Sequence, residues 1–136
     1  MKVKLIKFNE NYKKPERKHY NDAGSDVYIL ERIRLFPHQT KKIPLGFGLK
    51  LPDGYCALIV PRSGQASRGI ICQIPPIDSG YTGEIHAIVT NTTNTNVFLE
   101  QYERVGQILI IPCILADFIE ELGQERGNNA FNSTGK

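Results

Sequence analysis

Apolar and polar residues alternate along this chain in short runs, the period-two signature of strands with one face buried. Val3 to Phe8, Asp26 to Leu30, Ile33 to Phe36, Lys41 to Pro44 and Phe47 to Leu51 carry it in the first part of the chain. Tyr55 to Val60, Ile70 to Ile74, Glu84 to Asn91, Val97 to Leu99 and Arg104 to Leu115 carry it in the rest. Along Glu84 to Thr90 the pattern is clear: Ile85, Ala87 and Val89 fall on one face, His86, Ile88 and Thr90 on the other. Breakers interrupt the runs at Pro37-His38, Pro44-Leu45-Gly46, Pro52-Asp53-Gly54 and Asn94-Thr95-Asn96, the spacing of a β-sandwich or barrel. Helical periodicity is nearly absent, and Ser63 to Ser67 is the one stretch that reads as a helical turn.

With 136 residues, the chain is long enough for one buried core and too short for a separate cofactor domain. The end from 124 to 136 changes character to polar, Gly-, Asn- and Ser-rich sequence, so residues 1–123 are expected to form the domain and residues 124–136 a flexible arm. Seventeen Lys+Arg against fourteen Asp+Glu give a net charge of +3. Seven of the basic residues lie between Lys2 and Lys18 without an interleaved aromatic platform, so they read as surface and direct nucleic-acid binding is not expected. Cys56, Cys72 and Cys113 are odd in number, sit in apolar stretches and lack metal-ligand spacing, which points to small buried side chains in a reducing compartment. The start, Met1 to Lys7, alternates charge with apolar residues, unlike a signal peptide, and Ile108 to Ala116 is too short to span a bilayer and contains Pro112. A cytoplasmic protein without membrane contact is the expectation, or one in the host cell if the gene is viral or phage-borne.

Five segments look out of place as plain structure. Ile77-Asp78-Ser79-Gly80-Tyr81-Thr82-Gly83-Glu84 follows Pro75-Pro76, which cannot donate to a ladder, and its glycines permit positive φ or close backbone approach. Asp78 and Tyr81 suit a common small molecule there, although Asp78 in such a string also serves as an ordinary turn stabiliser. Asp22-Ala23-Gly24-Ser25-Asp26 places carboxylates at a strand start, where an Asx-turn is the plainer reading. Pro61-Arg62-Ser63-Gly64-Gln65-Ala66-Ser67 leads from a strand into a short helix, offering N–H groups and a hydroxyl to an anion, or using Ser63 as a simple N-cap. Pro61 and Gln65 stand where a hydrolase nucleophile elbow needs glycine. Arg104-Val105-Gly106-Gln107 opens the last strand with a guanidinium and an amide. Arg126 to Gly135 combines an Arg, two hydroxyls and one Phe in a polar tail, a composition suited to a polyphosphate and a flat ring, or to no function at all.

In this order and with these gaps, the five segments resemble the five motifs of the trimeric deoxyuridine triphosphatases (dUTPases), over about Asp22 to Gly135. The short Gly69 to Asp78 interval and the Asp78-Ser79-Gly80-Tyr81 form look most like the retroviral branch. The resemblance implies an all-β subunit, a distorted jelly-roll β-barrel, in a homotrimer whose three active sites lie between subunits. It implies Mg2+-dependent hydrolysis of dUTP to dUMP and pyrophosphate, with Asp78 activating the water that attacks the α-phosphorus and Tyr81 lying under the deoxyribose. Gln73 and Ile77 would join Tyr81 in a hairpin that receives uracil. Arg62, Ser63, Gly64 and Gln107 would contact the phosphates, and Asp26 would order the Mg2+ shell indirectly, through water. Arg126, Phe131, Ser133 and Thr134 would close over the substrate, Phe131 stacking on uracil.

The chain departs from the family pattern in places. Pro75-Pro76 replaces the usual Gly followed by Val or Thr, and the Asn often used for uracil has Gln73 or Ile74 nearest. Asn129, Ala130 and Asn132 stand at usual glycine positions of the tail. The related dCTP deaminases have a catalytic Glu where this chain has Ile88, which disfavours deamination. A non-catalytic, nucleotide-sensing trimer of the same fold is the alternative from another functional class.

Overall fold

The computed structural model describes residues 1–123. In chain order the strands are β1 (Lys4–Lys7), β2 (Ser25–Tyr28), β3 (Ile33–Leu35), β4 (Thr40–Pro44), β5 (Phe47–Lys50) and β6 (Tyr55–Val60). A single helical turn, α1 (Ser63–Ser67), precedes β7 (Ile70–Gln73), β8 (Ile77–Asp78), β9 (His86–Asn91), β10 (Val97–Leu99) and β11 (Arg104–Pro112). The fold is mostly β with little helix, as the alternation predicts. Its strands form four separately hydrogen-bonded sheets: β1-β5, β10-β3, β2-β11-β6-β8 and β4-β9-β7. Among the described residues, no helix is long and apolar enough to cross a membrane.

Side-chain alternation explains the core. In β9, Ala87, Val89 and Asn91 are buried while His86, Ile88 and Thr90 are half-exposed, because successive residues of a strand face opposite ways. Phe47, Ile29, Leu35, Leu45, Ile70, Ile85 and Leu99 are the largest apolar side chains that are fully buried. Ile77–Asp78, expected within a turn, instead forms a two-residue strand paired with Ala57 and Cys56 of β6. Strand β11 ends at Pro112 and not at Leu115, since proline fixes φ and has no N–H. Beyond it Ile114, Leu115, Phe118, Ile119 and Leu122 are 75% to 97% exposed, an apolar series left uncovered by the described residues. Of the three cysteines, Cys56 is buried, whereas Cys72 and Cys113 are half-buried. The Cys56 thiol is pushed up to about 11 by its hydrogen bond with Cys113, by burial and by the charge of Asp78.

One buried polar side chain ties the end of β3 to the turn between β9 and β10. The Asn91 amide donates to the carbonyls of Leu35 at 3.1 Å, Phe36 at 3.1 Å and Thr95 at 2.8 Å. Its oxygen accepts from the Thr93 N–H at 3.0 Å and hydroxyl at 2.7 Å. Removing one partner from a buried network leaves the others unsatisfied, at about 1–3 kcal/mol for each group. Asn91→Ala is therefore expected to destabilise the protein by about 2–5 kcal/mol, with a urea midpoint that falls at unchanged m-value. A midpoint equal to wild type contradicts the role given to this network.

Candidate active site

The four-stranded sheet positions most of the chemistry. In its ladder Asp26 of β2 lies opposite Gln107 of β11, and Gln107 lies opposite Val60 at the end of β6. The chain leaves β6 through Pro61 and Arg62 directly into α1, so Arg62 and Ser63 arrive beside that row. Arg62 Nε is 3.2 Å from Asp26 Oδ1, and Arg104 Nη1 is 3.5 Å from Asp26 Oδ2. The Gln107 amide donates to Pro61 O at 3.1 Å, and buried Gln65 anchors α1 by donating to Arg104 O at 2.6 Å. Together Lys18, Asp22, Asp26, Arg62, Ser63, Arg104 and Gln107 line a polar cavity of about 310 Å3. Three cations facing two carboxylates make it suited to an anion.

Local details depart from the expectations at Ser63 and agree with them at Asp22. Arg62, in an extended conformation, is the N-cap residue of α1 and no side chain caps the turn, so Ser63 is not an N-cap. Asp22 does stabilise a turn, accepting from the His19 N–H at 2.8 Å. Nearby Tyr28 has its phenol pKa raised, first by burial and then by the charges of Asp26 and Glu16.

The hairpin between β7 and β9 forms a second, smaller cavity of about 120 Å3, lined by Gln73, Ile77, Tyr81, His86 and Ile88 among others. The Tyr81 hydroxyl donates to Glu84 O at 2.7 Å, and His86 Nδ1 lies 3.2 Å from the same oxygen. The Glu84 carboxylate accepts from the Gly46 N–H at 3.0 Å, which clamps the hairpin to the turn between β4 and β5. Gly83 is required for close approach, because an added Cβ would stand 2.7 Å from the Tyr81 hydroxyl. Gly80 meets neither expectation: its φ is not positive and a Cβ there would meet open space. Asp78 is exposed at the end of β8 and lines neither cavity.

Register sets the distance between the two groups. Asp78 pairs with Cys56 and Gln107 with Val60, so the two rows are about 13 Å apart along β6 at the usual strand rise. Three strand-to-strand steps from β8 to β2 add about 14 Å across the sheet, which puts Asp78 about 20 Å from Asp26. One chain thus brings Asp26, Arg62, Ser63 and Gln107 together, and Gln73, Ile77 and Tyr81 together, but not the two sets. Gly64 is exposed in α1 beside Ser63. Arg126, Phe131, Ser133 and Thr134, with the arm expected over 124–136, lie outside the described residues. Lys18, Gln65, Glu84, His86 and Arg104 line or support these two places with no sequence signal that marks them as site residues; for Arg104 the guanidinium is visible in the sequence but its direction is not.

Among the described residues no group of three or more His, Cys, Asp and Glu side chains is arranged to hold a metal ion. Both oxygens of Asp26 already face guanidinium groups. This donor set fits Mg2+ carried by phosphate oxygens and water with Asp26 behind it, and does not fit an all-protein cage.

Gly24 packs against Gln107 so closely that an added Cβ would stand 2.5 Å from Oε1 and 3.0 Å from the Gln107 Cβ. Gly24→Ala is expected to displace the amide from Pro61 and cost about 1–3 kcal/mol in chemical denaturation. A stability equal to wild type contradicts this packing.

The chain matches the dUTPase family over residues 10–135. It is 38% identical to the deoxyuridine 5'-triphosphate nucleotidohydrolase of Tropheryma whipplei (strain Twist), across 90% of this chain and 88% of that one. Its identity to the protein of that name in Nautilia profundicola is 37%, across 100% of both. Among solved structures, the dUTPase of Staphylococcus aureus phage phi11 superposes with a TM-score of 0.86 at 21% identity, over 92% of this chain and 99% of that one. That of Staphylococcus bacteriophage 80alpha gives 0.83 at 24% identity, over 99% of both. The structural likenesses establish the fold, and the match across nearly the whole sequence establishes that the chain belongs to the dUTPase family.

Proposed function

We propose that this protein hydrolyses dUTP to dUMP and pyrophosphate with Mg2+, in sites that are completed between copies of the chain in a homotrimer of jelly-roll subunits. The observation that carries the shared site is the strand register, which sets Asp78 and Asp26 about 20 Å apart at usual strand spacings. A single nucleotide cannot be held by the cationic cavity and attacked beside Asp78 unless another subunit supplies one of the two. Two further features support association. Ile114, Leu115, Phe118, Ile119 and Leu122 present a long exposed apolar series. A cavity of about 530 Å3, lined by Val3, Leu5, Leu49, Ile108 and Ile110 with Lys14, Glu16 and Arg17 on its wall, suits such a segment from a neighbouring copy.

In this reading the hairpin cavity takes uracil and deoxyribose, with Gln73 and Ile77 beside the base and Tyr81 against the sugar. Arg62, Ser63, Gly64 and Gln107 bind the phosphates, and Asp26 stands behind the cation shell. Magnesium supplies charge neutralisation on the triphosphate. Asp78 holds a water in line with the α-phosphorus and accepts its proton, a role that contributes about 10²- to 10⁴-fold. Residues 124–136 serve as an arm in which Arg126, Ser133 and Thr134 reach the phosphates and Phe131 covers the base, excluding bulk water.

The test is pyrophosphate release from dUTP with Mg2+, run beside dCTP, dTTP and UTP, with ammonia measured separately. Release from dUTP alone is expected, since the hairpin and not the phosphate cavity reads the base. Binding without turnover contradicts the catalytic reading and favours a nucleotide-sensing trimer; ammonia from dCTP contradicts it in favour of deamination. Asp78→Asn is expected to keep nucleotide binding while losing at least about 100-fold in kcat. Turnover at the wild-type rate would remove Asp78 from its role.

A further inference from the structure

Arg104 and Gln107 are three residues apart, so on a regular strand they would face opposite sides of the sheet. The ladder between β11 and β2 is not regular. Arg104 lies opposite Tyr28 and Gly106 opposite Val27, so Val105 is an extra residue that forms a β-bulge and is itself fully buried. The bulge moves Arg104 from the Ile29 level to the Tyr28 level, on the same face as Asp26. Without it the guanidinium would be directed toward the buried side occupied by Ile29. Beside the bulge, Gly106 lets β6 approach closely, because a Cβ there would stand 3.0 Å from Val60 O.

The outcome is a carboxylate shared by two cations. Asp26, 17% exposed, has Arg62 on one oxygen and Arg104 on the other, while Arg104 is 43% exposed at the cavity wall. Arg62 meets Asp26 through Nε, so when its guanidinium is drawn to a phosphate its hold on this mostly buried carboxylate weakens, and a buried charge left without a partner opposes that step. We propose that Arg104 is a positioning residue, aimed by the bulge, that keeps Asp26 neutralised while Arg62 turns from Asp26 to the triphosphate.

The inference rests on the dUTP-hydrolysing reading above and concerns the same site. The contact of Arg104 with Asp26 is a single one at 3.5 Å, not a bidentate fork, so a lysine ammonium can replace it. The backbone role of Arg104, accepting from Gln65, is independent of its side chain.

The experiment compares wild type, Arg104→Lys and Arg104→Met, each alone and in an Asp26→Asn background. Calorimetry measures binding of α,β-imido-dUTP with Mg2+, kinetics separates KM from kcat, and thermal melts monitor folding. Arg104→Met is expected to raise Kd and KM about tenfold with kcat within about twofold. Arg104→Lys is expected to recover most of that loss. In the Asp26→Asn background, where no carboxylate remains to be neutralised, Arg104→Met is expected to add nothing further. The inference is overturned if Arg104→Met binds like wild type, if its loss persists undiminished with Asp26→Asn, or if lysine fails as badly as methionine. A methionine variant that does not fold makes Arg104 structural and also overturns it. Wild-type protein that neither binds the analogue nor releases pyrophosphate removes the hydrolytic reading itself, a result separate from any difference among the variants.

Discussion

Strand β6 is hydrogen-bonded along both edges, to β11 on one side and to β8 on the other. Its register with β11 fixes where Gln107, and through it Asp26, stands relative to Arg62. Its register with β8 fixes where Asp78 stands. Because a one-residue slip would turn every inward side chain outward, burial of Ala57 and Ile59 in the core holds that register. The separation between the phosphate-type cavity and the Asp78 carboxylate is thus a consequence of core packing and not of loop conformation. In the proposed reading, a site built this way is rigid in each half and completed by association, which suits chemistry that depends on positioning a flexible triphosphate.

Each half has its own supports. The cationic cavity is held by side-chain hydrogen bonds to backbone: Gln65, outside the cavity, ties α1 to the strand bearing Arg104, and Gln107, on its wall, ties that strand to Pro61. The hairpin is held by Glu84, whose carboxylate grips the Gly46 N–H while its carbonyl receives the Tyr81 hydroxyl. Both arrangements fix side chains by bonds to backbone, which moves less than other side chains. The cation excess around Asp26 adds an attraction for polyphosphate that is strongest where the groups are partly withdrawn from water.

Much of the fold is legible in the sequence because burial on one face imposes a two-residue period. Ile85, Ala87 and Val89 fall inward as their alternation predicts, and Ser63 to Ser67 is the helical turn. What the period cannot convey is pairing between strands distant in sequence. Ile77–Asp78 is too short to show a period, and its strand character comes from β6. Nothing in the residue types at Arg104-Val105-Gly106-Gln107 tells which residue is the extra one, so the sequence places a guanidinium at the start of the last strand without showing which way it faces. Ser63 has the right residue type for an N-cap, but the chain enters the helix one residue earlier, at Arg62. The motif residues were readable one segment at a time; their division between two places about 20 Å apart was not, since it follows from register alone.

The most direct measurement is subunit complementation. Asp78→Asn and Arg62→Ala variants, each inactive alone, are unfolded together in denaturant, refolded and assayed for pyrophosphate release from dUTP. If Asp78 and Arg62 of one site come from different chains, random mixing returns both intact groups to about one site in four, and activity reappears in that proportion. Activity that stays at the level of the separate variants, in a mixture shown to contain hybrid oligomers, contradicts a site shared between subunits.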